Sequence, residues 1–225
     1  MAGATAAERT ANILLDIQAV HMNAAKPFIL TSGWASPVYI DCRKIISYVN
    51  ERRQIIRDAC DVLRAGCDVS KIDYVAGGET AGIAYAAWIA EALDKPMLYV
   101  RKKPKGFGRG AQIEGNFPEG ARVLLVEDLA TDGASKVTFA NVLRDAGGIV
   151  DDVFSVFFYG IFSESAEILG NAGLRLHHLA TWQDVLVAAR ARKITDAATL
   201  QEVEKFLAGP AAWSGAHGGT VTRKA

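Results

Sequence analysis

The chain is poor in cysteine, with Cys42, Cys60 and Cys67 the only three among 225 residues. An odd number without metal-ligand spacing argues against a disulfide framework or a structural zinc module. It fits reduced, structural thiols in a cytoplasmic protein. The four histidines, His21, His177, His178 and His217, form no ligand pattern. His177 and His178 lie in an apolar run and read as a satisfied or solvent-facing pair rather than a metal site. Neither charge is in excess, since Lys+Arg and Asp+Glu both number 25. That balance argues against a surface built to coat nucleic acid or an anionic membrane. No apolar run of about 18 residues is present, so no membrane-spanning helix is expected. The first ten residues carry Glu8 and Arg9 and have no apolar signal-peptide core. No internal repeat is visible.

Half of the residues are hydrophobic, enough for one ordinary domain with a real core. We expect that domain over residues 1–208, with a Gly- and Ala-rich loose tail over 209–225. Helical spacing of Ile13, Leu14, Ile17 and Val20 predicts a helix over 11–20. Residues 28–30 and 38–40 read as short strands around a turn. Asn50 is a plausible N-cap for a helix carrying Ile55, Ile56, Ala59, Val62 and Leu63. Beyond it strands and helices alternate. Strands are expected at 72–76, 97–100, 123–126, 153–158 and 174–179. Helices are expected at 81–93, from about 136 to 144, 182–190 and 197–207, with a helical turn or two at 166–170. This β-then-α rhythm predicts an α/β fold, a mainly parallel central sheet flanked by helices. Ligands of such sheets bind beyond the carboxyl ends of the strands.

The most informative stretch starts with the apolar run Val123, Leu124, Leu125 and Val126. It passes into Glu127 and Asp128, then Leu129, Ala130, Thr131, Asp132, Gly133, Ala134 and Ser135, then a helix. A strand, a polar turn and a helix N-terminus make a phosphate site. Backbone N–H groups and the helix dipole favour an anion there. Gly133 and Ala134 allow close approach, and Thr131 and Ser135 add hydroxyls. Acids beside an anion site make sense if the ligand also has hydroxyls. A ribose 5-phosphate fits both halves, its 2′ and 3′ hydroxyls donating to Glu127 and Asp128. The bland alternative is a strand end with solvated acids.

Two further segments bear on this. Gly77, Gly78, Glu79, Thr80, Ala81 and Gly82 follow a strand and open a helix, a second candidate phosphate loop that is weak taken alone. Arg101, Lys102, Lys103, Lys105 and Arg109 crowd a loop with glycines at 106, 108 and 110. It reads as a solvated basic loop or as a mobile flap that brings cations over a leaving group and excludes water.

The stretch 123–135 closely resembles the phosphoribosyl-diphosphate (PRPP) motif of type I phosphoribosyltransferases. The Gly78–Gly82 segment resembles that family's pyrophosphate loop. Residues 28–43 hold Ser32, Gly33, Ser36, Pro37, Tyr39, Ile40 and Asp41, and resemble the N-terminal hood of orotate phosphoribosyltransferases. Arg101, Lys102 and Lys105 resemble their flexible loop. The resemblance spans roughly residues 10–208 and implies a type I phosphoribosyltransferase fold with a small hood from about 10–45. It implies transfer of phosphoribose from PRPP to orotate in pyrimidine synthesis, and Mg2+ held mainly by PRPP, with no directly assigned protein ligand. It also implies a homodimer whose flap reaches the neighbouring subunit.

By the same resemblance, Asp128, Lys105 and Lys102 are catalytic. PRPP binding falls to Arg101, Lys102, Lys105, Glu127, Asp128, Thr131, Asp132, Gly133, Ala134 and Ser135. The pyrophosphate loop is Gly78, Glu79, Thr80, Ala81 and Gly82, and the base meets Tyr39, Ile40 and Thr131. The family usually has Lys where this chain has Thr31 and Ala81, and His or Tyr at the place of Phe107. It commonly has an Arg near the place of Phe157, Phe158, Tyr159 and Gly160. Arg43 or a flap cation is then expected to compensate the orotate carboxylate. A transferase for another base, or a non-catalytic PRPP-sensing regulator, are the alternatives.

Overall fold

The computed structural model describes residues 3–30, 32–105 and 112–221. In chain order the elements begin with α1 (Ala6–Asp16), β1 (Val20–Met22), β2 (Phe28–Ile29), β3 (Ala35–Ser36) and β4 (Val38–Ile40). There follow α2 (Val49–Gly66), β5 (Tyr74–Gly78), α3 (Ala81–Leu93), β6 (Met97–Val100), β7 (Ile113–Glu114) and β8 (Val123–Ala130). The chain continues through α4 (Ala134–Asp145), β9 (Asp152–Phe158), α5 (Ser165–Asn171) and β10 (Arg175–Thr181). Helices α6 (Trp182–Ala191), α7 (Ala197–Ala208) and α8 (Pro210–Ala216) complete it. The described residues fall into two compact units. One comprises those up to Ile45 together with those from Ala180 on, the other Ile46–Leu179.

The second unit holds a six-stranded sheet in the order β10-β9-β8-β5-β6-β7. β5 runs parallel to β6 and β8, and β8 parallel to β9; β7 pairs antiparallel with β6. Burial explains the apolar runs. Val123 and Leu125 share a core with Phe139, Ala140 and Leu143 of α4. Leu124 and Val126 point the other way, as alternate residues of a strand must. Both are fully buried, and α3 packs on β8 and β5. With both faces covered, β8 has no polar alternation in its first four residues. β8 runs on to Ala130, four residues beyond the expected end, so Glu127 and Asp128 belong to the strand itself. β5 starts at Tyr74 rather than residue 72. Asp68 caps a short 3-10 turn over Val69–Lys71, accepting from the Ser70 amide at 3.2 Å, and this uses up the preceding residues.

In the first unit two small antiparallel pairs replace the expected single hairpin. β2 pairs with β3, and β4 pairs with β1. α1 is displaced from the predicted span of 11–20 because Thr5 and Glu8 form a capping box that starts the helix at Ala6. It ends at Asp16, and Val20 lies in a strand. Likewise α2 begins at Val49 with Tyr48 before it, so Asn50 is inside the helix and is not its cap. The expected loose tail is corrected over part of its length. Pro210 opens α8, a place where a missing N–H costs nothing, and Trp213 is buried. Ser214 Oγ accepts from the Ala35 amide at 3.0 Å and donates to the Thr220 carbonyl at 2.7 Å.

Candidate active site

The carboxyl ends of three adjacent strands bring the predicted segments together. Gly77 pairs with Val126 across β5 and β8, and Gly78 with Val100 across β5 and β6. Glu127, the loop after Gly78 and the residues after Val100 therefore occupy one end of the sheet.

The turn after β8 is built for a tight reversal into α4. Gly133 has φ +93°, and a Cβ there would lie 2.8 Å from Leu169, so only glycine suits it. Asp132 Oδ1 accepts from the Ala134 amide at 3.1 Å and braces the first helical turn. Thr131 and Asp132 are half-buried, and Ala134 and Ser135 are exposed.

Glu127 is only 6% exposed. Its carboxylate lies against the Gly78 backbone, where a Cβ would come within 1.8 Å of Oε1. That oxygen is buried and has no hydrogen-bond partner among the described residues, while Oε2 lies 3.8 Å from Lys136 Nζ. Burial drives the Glu127 pKa up to about 7; Lys136 opposes the shift, Asp128 adds to it and Lys102 opposes it. Sequence reasoning missed Lys136. It is 5% exposed and donates to Ser135 Oγ at 3.1 Å. A cation in the first turn of a helix opposes the helix dipole, and that anomaly was the available signal.

The pyrophosphate-loop candidate is tied to the base of the cationic segment. The Glu79 amide donates to the Val100 carbonyl at 2.8 Å, and the Lys102 amide donates to Glu79 Oε2 at 2.7 Å. Thr80 precedes α3, which opens with Ala81; Gly82 packs so closely on β8 that a Cβ would lie 2.5 Å from the Val126 carbonyl oxygen. The Glu79–Thr80 peptide is cis.

Arg101 pairs through backbone with Gln112 (2.7 Å) and through Nη1 with Glu114 Oε1 (3.4 Å). Lys105 Nζ reaches the same oxygen at 2.6 Å. The Lys105 hydrogen bond is the chief reason that the Glu114 carboxyl stays below its usual range. Glu114 was not singled out from the sequence, having no motif around it. The expected flap residues Phe107 and Arg109, the flap glycines and Thr31 lie outside the described residues.

Tyr39 and Ile40 belong to the other unit. Ile40 is buried, whereas Tyr39 is half-buried in an aromatic cluster, 5.8 Å from Phe28 and 6.2 Å from His21 between ring centroids. Arg43 donates to Asp41 at 2.6 Å and to the Tyr39 hydroxyl at 3.3 Å. Near the place of the family's Arg, Tyr159 is buried and stacks on Phe162.

Chemically, the sheet end offers acceptors for sugar hydroxyls, a helix N-terminus for a phosphate, and cations for a second anion. No protein-family model matches the chain. A curated relative from Rhizobium rhizogenes, named orotate phosphoribosyltransferase, is 53% identical over 218 residues, covering 97% of this chain and 94% of the relative. The chain belongs to the orotate phosphoribosyltransferase family. Solved structures agree with this membership. The orotate phosphoribosyltransferase of Aeropyrum pernix superposes with a TM-score of 0.68 at 32% identity, covering 83% of this chain and 99% of that one. The Mycobacterium tuberculosis orotate phosphoribosyltransferase, solved in complex with PRPP, gives 0.60 at 27% identity, covering 79% and 98%. The fold is that of type I phosphoribosyltransferases. No helix among the described residues is long and apolar enough to cross a membrane.

Proposed function

We infer that this protein transfers the 5-phosphoribosyl group of PRPP to orotate, releasing pyrophosphate and forming orotidine 5′-monophosphate, a step of pyrimidine biosynthesis. The observation that carries this reading is the near full-length match at 53% identity to an enzyme named for that reaction. The tight Gly133 turn and the buried Glu127 at one sheet end supply chemistry of the right kind.

In the proposed mechanism the 5′-phosphate sits on the turn from Thr131 to Ser135, and the ribose hydroxyls donate to Asp128 and Glu127. The orphaned Glu127 Oε1 is the acceptor such a hydroxyl would satisfy. Arg101, Lys102 and Lys105 would neutralise the departing pyrophosphate, Arg101 and Lys105 leaving Glu114 to do so. Gly78, Glu79, Thr80, Ala81 and Gly82 would present backbone to it. Cleavage at C1′ develops oxocarbenium character, and orotate N1 attacks from the opposite face. The protein's contribution is to hold PRPP, stabilise the leaving charge and exclude water. The adjacent carboxylates Glu127 and Asp128 are hard oxygen donors that fit Mg2+, which would reach them mainly through PRPP and add charge neutralisation. Tyr39 and Ile40 are proposed to meet the pyrimidine. A homodimer, and a cytoplasmic location, complete the proposal.

The test is a spectrophotometric assay with PRPP, Mg2+ and a panel of bases. Orotate should exceed uracil strongly in kcat/KM, because the absent carboxylate strands charged donors. Equal values would defeat the orotate assignment. A preference for a purine would make the protein a transferase of another base, and PRPP binding without turnover would make it a sensor.

A further inference from the structure

A second cluster of reactive side chains lies far from the phosphate turn, toward the end of the sheet where the strands begin. Cys67 follows α2, Asp152 is the first residue of β9, and His177 lies in β10. The register of β8 with β9 places Ala130 opposite Phe158, six residues up the strand from Asp152. At the rise of a β-strand that is about 20 Å. One ligand atom from each of Cys67, Asp152 and His177 lies within 4.8 Å of the others. All three residues are half-buried. The residues are remote in sequence, so no spacing motif announces them.

The three groups would meet a cation on different terms. Arg175 donates from Nε and Nη2 to the two Asp152 oxygens, at 2.9 and 2.8 Å. Burial alone would raise the Asp152 pKa, but the hydrogen bonds from Arg175 and His177 outweigh it and keep the carboxyl below its usual range. An ionised carboxylate steadied by an outer hydrogen-bonding partner is how ligating carboxylates are generally held. His177 Nε2 lies 2.7 Å from Asp152 Oδ1, and the ring rests against Gly66. A divalent ion would take the place of the proton shared by these two atoms. Cys67 Sγ is partnered by the Leu63 carbonyl at 3.2 Å. Burial, and then the charge of Asp152, keep its thiol protonated, so a metal would have to displace that proton.

A cavity of about 440 Å³ adjoins the cluster and is lined by both Cys67 and Asp152. Each cation that lines it is paired with an acid. Lys71 pairs with Asp68 at 3.1 Å, Arg122 with Asp151 at 2.9 Å and Arg175 with Asp152. It does leave room for a water or other small ligand beside the cluster. One thiol, one imidazole and one carboxylate suit a borderline-soft ion and disfavour Mg2+ or Ca2+. Metal–ligand bonds of about 2.0–2.3 Å set tetrahedral ligands roughly 3.2–3.7 Å apart, so the three atoms already lie within about 1 Å of such a spacing, and the 2.7 Å His177–Asp152 pair would open slightly to admit the ion. We propose that Cys67, Asp152 and His177 form a Zn2+ site separate from the phosphoribosyl site, with a fourth position open to the cavity.

Titration of the full-length, PRPP-free protein with Co2+, followed by back-titration with Zn2+, tests this. One equivalent of Co2+ should produce a thiolate-to-metal charge-transfer band, and one equivalent of Zn2+ should abolish it. Cys67→Ser should lose the band, His177→Gln should weaken binding at least about tenfold, and Cys60→Ser should change neither. Orotate turnover by Cys67→Ser should match the parent, which shows that the variant folds and that the two sites are independent. Absence of the band from the parent, or its persistence in Cys67→Ser, would overturn the proposal. So would unchanged affinity in His177→Gln.

Discussion

The buried acid of the phosphoribosyl site should leave a signature on stability as well as on binding. Glu127 titrates near its ordinary value of 4.5 in the unfolded chain but at about 7 when folded, chiefly because burial disfavours the charged form. The sign follows from proton counting. Between these values the unfolded chain has released a proton that the folded protein retains. The stabilising contribution is complete below pH 4.5 and is lost as pH rises through 7. Over about pH 5 to pH 8 the loss amounts to roughly 2–3 kcal/mol. Glu127→Gln removes the titration. Its other effects, including the loss of an acid beside Lys136, form an offset that hardly varies over this range. Urea unfolding at both pH values should therefore show the variant gaining about 2–3 kcal/mol on the parent between pH 5 and pH 8. Asp41, Glu114 and Asp152 do not intrude, because their pKa values are lowered. Histidines common to both proteins cancel. In the opposite direction, PRPP affinity at pH 8 should fall about 10- to 100-fold, the loss of a charged acceptor. A stability gap constant within about 0.5 kcal/mol across the two pH values would refute the burial argument.

Gly78→Ala should push Glu127 and Phe139 aside, since its Cβ would lie 1.8 Å from Oε1 and 2.8 Å from the ring. A cost of about 1–3 kcal/mol in urea and a loss of PRPP binding by calorimetry are expected. Lys105→Ala should lower kcat more than it raises KM if the lysine meets charge only as pyrophosphate departs; steady-state kinetics separate the two. Mixed with Asp128→Asn subunits, it should regain activity if the flap serves the neighbouring subunit. Failure despite labelled subunit exchange would place each site within one chain. Ser214→Ala should cost about 1–3 kcal/mol in a denaturation curve by leaving the Ala35 amide unpaired.

Legibility followed burial. The strands at 97–100 and 123–126 and the helix at 81–93 are apolar runs or periodic segments packed in the sheet-bearing unit, and pattern alone located them. Strands of two or three residues, such as Phe28–Ile29, carry too little alternation to announce their partners. Helix α8 was hidden by its Gly and Ala content, although Trp213 anchors it. In the candidate site the contiguous motif at 123–135 was readable, whereas the pairings Glu127–Lys136 and Lys105–Glu114 arise only when separate elements converge. Glu127 and Lys136 are nine residues apart, yet the turn between β8 and α4 must form before they meet.

The unit bearing β1 to β4 is assembled from both ends of the described chain, with the sheet-bearing unit encoded as one stretch between them. Its ties span most of the polypeptide. Arg192 reaches Asp16 at 2.5 Å, and Ser214 holds the Ala35 amide. During vectorial synthesis the sheet-bearing stretch can gather its contacts as it emerges, whereas α1 and the small strands must wait for α6 to α8. Once residue 179 has emerged, the nascent chain would thus carry a nearly finished sheet and, upstream of it, apolar surface whose covering helices have yet to emerge. During that interval the surface stays open to solvent, as long-range topologies generally require.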